Sequence, residues 1–166
     1  MSAASGVIAP GIESLLCASK DGHARWSRVG DFMQGVAIAG PSVIATQRLP
    51  FSLDSRRERS MMLVRLSQES GEVVSATPTE FGVLAVIPTG DIVVRRPAQL
   101  TEEGWRSSVG VVGGESLGSC WEVSRVGAAI TDTFSWEAAL NEAGLVVASG
   151  RTVTALELSS GSILWE

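Results

Sequence analysis

A turn glycine followed four residues later by a large side chain recurs along the chain, and this recurrence limits the folds open to it. Gly22 is followed by Trp26 and Gly161 by Trp165; Gly71 is followed at the same distance by Ser75, and Trp121 stands three residues after Gly118. From Trp26 to Ser75, Trp121 and Trp165 the steps are 49, 46 and 44 residues. A period of about 40 to 50 residues filled with short alternating strands is the length of four antiparallel strands and their turns, one propeller blade. The expected fold class is all-β, a β-propeller of four-stranded antiparallel blades. About three and a half blades are accounted for, so an open arc is expected.

The closing phrase, Ala155-Leu156-Glu157-Leu158-Ser159-Ser160-Gly161-Ser162-Ile163-Leu164-Trp165, resembles the tryptophan-docking motif of the quinoprotein, or PQQ-like, β-propeller repeats, Ala-x-Asp-x-x-Thr-Gly-Lys-x-x-Trp. Ala155, Gly161 and Trp165 match, Glu157 and Ser160 are near substitutions, and Ser162 departs from lysine. Leu16, Asp21, Gly22 and Trp26 keep the frame of a first copy, Ser70 and Gly71 the turn of a second, and Trp121 the anchor of a third. The resemblance implies the repeat scaffold. Quinoprotein dehydrogenases of this fold bind the quinone and a calcium ion, often beside adjacent cysteines, and this chain has neither adjacent cysteines nor a recognisable calcium ligand set. No catalytic, cofactor-binding or metal residue is carried over.

One partial propeller domain over 1–166 is expected, with a half blade at 12–31 and repeats at 35–77, 81–125 and 128–166. The half blade has strands Ser14–Ser19 and His23–Val29 around Lys20-Asp21-Gly22. The second repeat has Val36–Ala39, Val43–Gln47, Met62–Leu66 and Glu72–Ala76. The third has Val83–Ile87, Ile92–Arg96, Ser107–Val112 and Ser119–Val123, and the fourth Glu137–Leu140, Leu145–Ser149, Thr152–Leu158 and Ser162–Glu166. Runs such as Val83-Leu84-Ala85-Val86-Ile87 are apolar at successive positions, as strands covered on both faces require. Trp26, Trp121 and Trp165 are expected to staple neighbouring blades, each offering its indole N–H to a carbonyl. Trp105 and Trp136 fall off the phase, in connections. Gly161 is expected to have positive φ.

Composition excludes several classes. With 45% hydrophobic and 19% charged residues the chain can build a core. A net charge of −5 gives no field drawing it to nucleic acid. No apolar run approaches the roughly 20 residues of a membrane helix. Met1–Pro10 shows neither a basic n-region nor a sustained apolar h-region, so no secretory signal is visible and a native N-terminus implies the cytoplasm. Cys17 and Cys120, in different repeats, are expected to be reduced and partly buried.

The remaining motifs are weak as chemistry. Gly114-Glu115-Ser116-Leu117-Gly118 spells a nucleophile elbow, but a strand rather than a helix follows Ser116 and the single histidine, His23, precedes it; a hairpin turn is the expected role. His23 alone cannot assemble a zinc site. Arg48 to Ser60, with Arg48, Arg56, Arg57, Arg59, Asp54, Glu58 and Phe51, is a long insertion of the kind that forms binding or solvated loops. The function expected is a non-enzymatic repeat segment acting as a protein-binding or assembly scaffold. Its partner would be a protein or peptide, a second copy, or the remaining blades of a longer chain. The alternative is a fragment of a quinoprotein dehydrogenase or of a sensor ectodomain whose functional site lies outside this chain.

Overall fold

In the computed structural model residues 6–10, 13–32, 35–49, 61–130, 138–141, 144–149 and 152–166 are described. These residues form fifteen strands and no α-helix. β1 (Gly6–Pro10), β2 (Ser14–Ser19) and β3 (Ala24–Val29) make a three-stranded sheet. β4 (Val36–Ala39), β5 (Ser42–Arg48), β6 (Met61–Ser67) and β7 (Val73–Thr79) make the second sheet, and β8 (Gly82–Val86), β9 (Ile92–Thr101), β10 (Gly104–Val112) and β11 (Ser119–Gly127) the third. β12 (Ala138–Asn141), β13 (Gly144–Ser149), β14 (Thr152–Leu156) and β15 (Ile163–Trp165) make the fourth. Within every sheet the strands run in sequence order and pair antiparallel, so these are β-propeller blades.

Two sequence expectations need correction. The first repeat is more than an outer half, because Gly6–Pro10 pairs with β2 from Gly6↔Ser19 to Pro10↔Leu15. Its alanine, glycine and proline content hid a strand that pairs with β2 and packs Ile8 against the core. Trp105 does not lie in a connection: β9 and β10 extend well past the expected limits, and Trp105 pairs with Leu100 on one side and Gly127 on the other. Charged and polar residues in 95–106 broke the apolar pattern that the expected boundaries followed. Trp136 and residues 50–60 of the arginine-rich insertion lie outside the described residues. Arg48 ends β5, where its N–H donates to Asp31 O at 2.8 Å and its guanidinium lies 3.5 Å from the Asp31 carboxylate.

The chain divides into two compact units, Met1–Val83 and Leu84–Glu166. In the first, Leu15, Phe32, Val43, Ala45, Val64 and Leu66 form the core, with Ile8, Trp26 and Val36 packed against it. In the second, Val93, Val109 and Val111 of the third sheet meet Leu145, Val147 and Leu156 of the fourth, beside Trp121. Side chains alternate along a strand and paired residues share a face, which explains the arrangement: Leu15 and Cys17 turn to the core while Leu16 between them turns away.

Thr46 is a buried polar exception in β5. Its hydroxyl donates to Phe81 O at 3.2 Å and accepts from the Val83 N–H at 3.2 Å, tying the residues after β7 to β5. Thr46→Val keeps the shape and leaves both backbone groups without this partner, so a loss of about 1 to 3 kcal/mol is expected in urea unfolding.

Candidate functional site

The third strand of each blade returns into the fourth through a hairpin, and the repeated phrase lies there. Ser67 N–H donates to Glu72 O and Gly71 N–H to Ser67 O, both at 2.9 Å. Glu157 and Ser162 with Gly161, and Gly113 and Gly118 with Leu117, repeat these two bonds. Ser70, Ser116 and Ser160 are equivalent: each hydroxyl accepts from the N–H two residues on, that of Glu72, Gly118 or Ser162. Ser116 is therefore a turn serine, and the elbow spelling is a consequence of that turn.

The alignment also resets the phase of the third repeat. The residue equivalent to Gly71 (φ +72°) and Gly161 (φ +73°) is Leu117, with φ +54°, and not Gly118. Trp121 thus stands four residues after its turn residue like the others. A leucine in the left-handed region carries strain, and its identity concealed the true frame.

Beyond the turn every fourth strand breaks register once. The pairings Cys17↔Trp26 and Ala18↔Ala24 skip Arg25; those of β7, β11 and β15 skip Val74, Cys120 and Leu164. The extra residue is a β-bulge. It puts the next side chain, Trp26, Trp121 or Trp165, on the face opposite the one that unbroken alternation from the turn would give.

The result is a docking joint made twice. In the first unit the Trp26 indole N–H donates to Gln68 O at 3.0 Å, and a β-carbon added to Gly71 would lie 2.6 Å from ring atom Cδ2 of Trp26. In the second unit Trp121 donates to Leu158 O at 2.7 Å, and a β-carbon on Gly161 would lie 2.5 Å from Cε3 of Trp121. Each indole lies on the glycine of the following blade and bonds the carbonyl three residues before it. Both glycines are buried. The staples expected at Trp26 and Trp121 and the positive φ at Gly161 are as expected.

Trp165 is not. It is 53% exposed, beside exposed Ile163 and Leu164. Its strand is nevertheless tied down, since Arg125 donates to the Glu166 carboxylate and to Thr154 Oγ1. The sequence showed the tryptophan but not its exposure.

Ser108 and Arg96 donate to the two carboxylate oxygens of Glu122, at 2.5 and 3.3 Å. Arg95 is buried in β9, and desolvation pushes its pKa down to about 9. Ser19 donates to Asp21 and, with backbone N–H groups, holds the Asp21 carboxyl below its ordinary pKa. What this bond contributes is present above the unfolded pKa and lost as pH falls through the lowered folded value. His23 lies in solvent 3.8 Å from Asp21. Among the described residues no group of three or more His, Cys, Asp or Glu side chains could hold a metal ion, and no helix is long and apolar enough to cross a membrane.

Both thiols are free, and they differ from expectation in exposure: Cys17 is buried and its thiol donates to Gln68 O, with Sγ 3.9 Å from the oxygen, whereas Cys120 is exposed on the bulge of β11. A thiol reagent is expected to modify Cys120 within minutes in the native protein and Cys17 only after unfolding. Equal rates in a mass-resolved time course would contradict this placement.

No family model matches the chain, and no curated protein does. It is similar in structure to a crystallised protein of unknown function from Bacteroides caccae, at 11% identity and a TM-score of 0.44, over 99% of this chain and 78% of that one.

Proposed function

We propose that this chain is a segment of a quinoprotein-like propeller that works as a non-enzymatic protein-binding or assembly scaffold. The observation that supports this reading is the half-exposed Trp165. A residue built into the same bulged strand as Trp26 and Trp121 presents its ring to solvent, flanked by Ile163 and Leu164. Tryptophan is the side chain most enriched in the energetic centres of protein interfaces. A rigid strand end also loses little conformational freedom on binding.

The test is a photo-crosslinking amino acid at position 164 in cells that express the chain. Covalent adducts of protein mass, lost when Trp165→Ala is added, are expected. A chain that forms no adduct, or that instead oxidises alcohols with saturable uptake of added quinone and calcium, overturns the reading.

A further inference from the structure

We propose that Trp165 docks in trans on the Gly22 turn of a second copy of this chain, so that copies associate head to tail. The proposal rests on the scaffold reading and names its partner. Each unit carries one half of the joint, an exposed ring in the second and an exposed turn glycine in the first. Gly22 stands in the corresponding connection to Gly71 and Gly161, between the third- and fourth-strand equivalents β2 and β3, with φ +86°. Where the β-carbons of those two glycines would run into an indole, one on Gly22 would meet nothing within 4 Å, and Gly22 is exposed where they are buried.

The sheet faces agree with the joint. Register places Val146, Ala148, Val153, Ala155 and Trp165 on one face of the fourth sheet, the face opposite its core residues Leu145, Val147 and Leu156. It places Val7, Ala9, Leu16, Ala18 and Val29 on the face of the first sheet opposite Leu15 and Cys17. Neither set carries a charge; the charged groups nearest the joint, Lys20, Asp21 and Arg25, lie in the exposed turn and on the bulge beside it. Val7 is 63% and Val29 85% exposed. Each unit already packs one sheet on the next in this polarity, tryptophan-bearing face onto the face behind the following turn.

One detail differs. The β2–β3 turn is a residue tighter, with Ser19 N–H donating to His23 O at 2.9 Å and Gly22 N–H to Ser19 O at 3.0 Å. The ring-on-glycine contact is the part carried over, and the indole N–H goes to a carbonyl of the Ser19–Asp21 segment. A head-to-tail joint is heterologous, so it closes a ring or extends.

Light scattering on the eluting protein over a hundredfold range of concentration tests this. The wild type is expected to show a mass of two or more chains, and Trp165→Ala and Gly22→Leu each a mass of one. Mixing the two variants restores one joint, between Gly22 of the first and Trp165 of the second, and should give a two-chain species that neither forms alone. Circular dichroism of each variant checks that it is folded. A wild type with one-chain mass throughout, association that survives Trp165→Ala, or folded variants that do not recombine, would overturn the proposal. Crosslinks from position 164 to other proteins alone would do so too, while leaving the scaffold reading standing; the absence of any crosslink would remove both.

Discussion

Trp121→Ala is expected to cost about 3 to 5 kcal/mol, the range for truncating a large packed aromatic. The ring covers Gly161, its N–H bonds Leu158 O at 2.7 Å, and it belongs to the core shared by the third and fourth sheets. Trp26→Ala, which removes the same contacts from Gly71 and Gln68 O, should fall in the same range. Trp165→Ala at low protein concentration provides the contrast, with a cost of less than about 1 kcal/mol, as for a surface change away from packed features. Urea midpoints for the three variants decide the matter. Similar losses at positions 121 and 165 would mean that exposure does not separate a docked tryptophan from a free one.

The second large effect is expected on the other side of the joint. Gly161→Val meets two penalties: the backbone is at φ +73°, where a β-branched residue is strained by roughly 1 to 3 kcal/mol, and the new side chain displaces the Trp121 ring, at a further 1 to 3 kcal/mol or so. A total of about 2 to 6 kcal/mol follows, and Gly71→Val should behave alike against Trp26. Gly22→Val isolates the first penalty, since φ is +86° but the space is open. Its loss at low concentration should therefore be smaller by the cost of moving an indole. If Gly22→Val and Gly161→Val are equally destabilising, the ring does not constrain the turn.

Much of the fold was legible because two signals reinforced each other: turn glycines at a blade's spacing, and short runs such as Val83–Ile87 that are apolar at successive positions. The second sheet was placed within a few residues throughout. Gly6–Pro10 escaped because glycine, alanine and proline surround the one side chain, Ile8, that packs on the core, and the β9–β10 extension because Arg95, Arg96 and Arg106 interrupt the pattern that marks strands. Leu117 shows a different limit. Its role is set by a backbone dihedral, which leucine disguises, so the third repeat was counted from the wrong residue. That Trp26 and Trp121 staple neighbouring sheets could be inferred from size and phase, though not the turns on which they sit. The exposure of Trp165 could not, since a single side chain carries no information about what stands opposite it.

The joints described above also bear on how such a chain can lengthen. Trp26 depends on one turn about forty residues downstream, and so does Trp121; each connector is local to two neighbours. Stability of a repeat array is a sum of unit and nearest-neighbour terms. Duplicating the fourth blade, which carries both Gly161 and Trp165, therefore adds a new tryptophan and a new glycine seat together; the second and third blades, with Ser75 and Leu117 in those places, each carry only one half. For a blade that carries both halves, the bulged fourth strand makes blade number a quantity that inheritance can change in single steps.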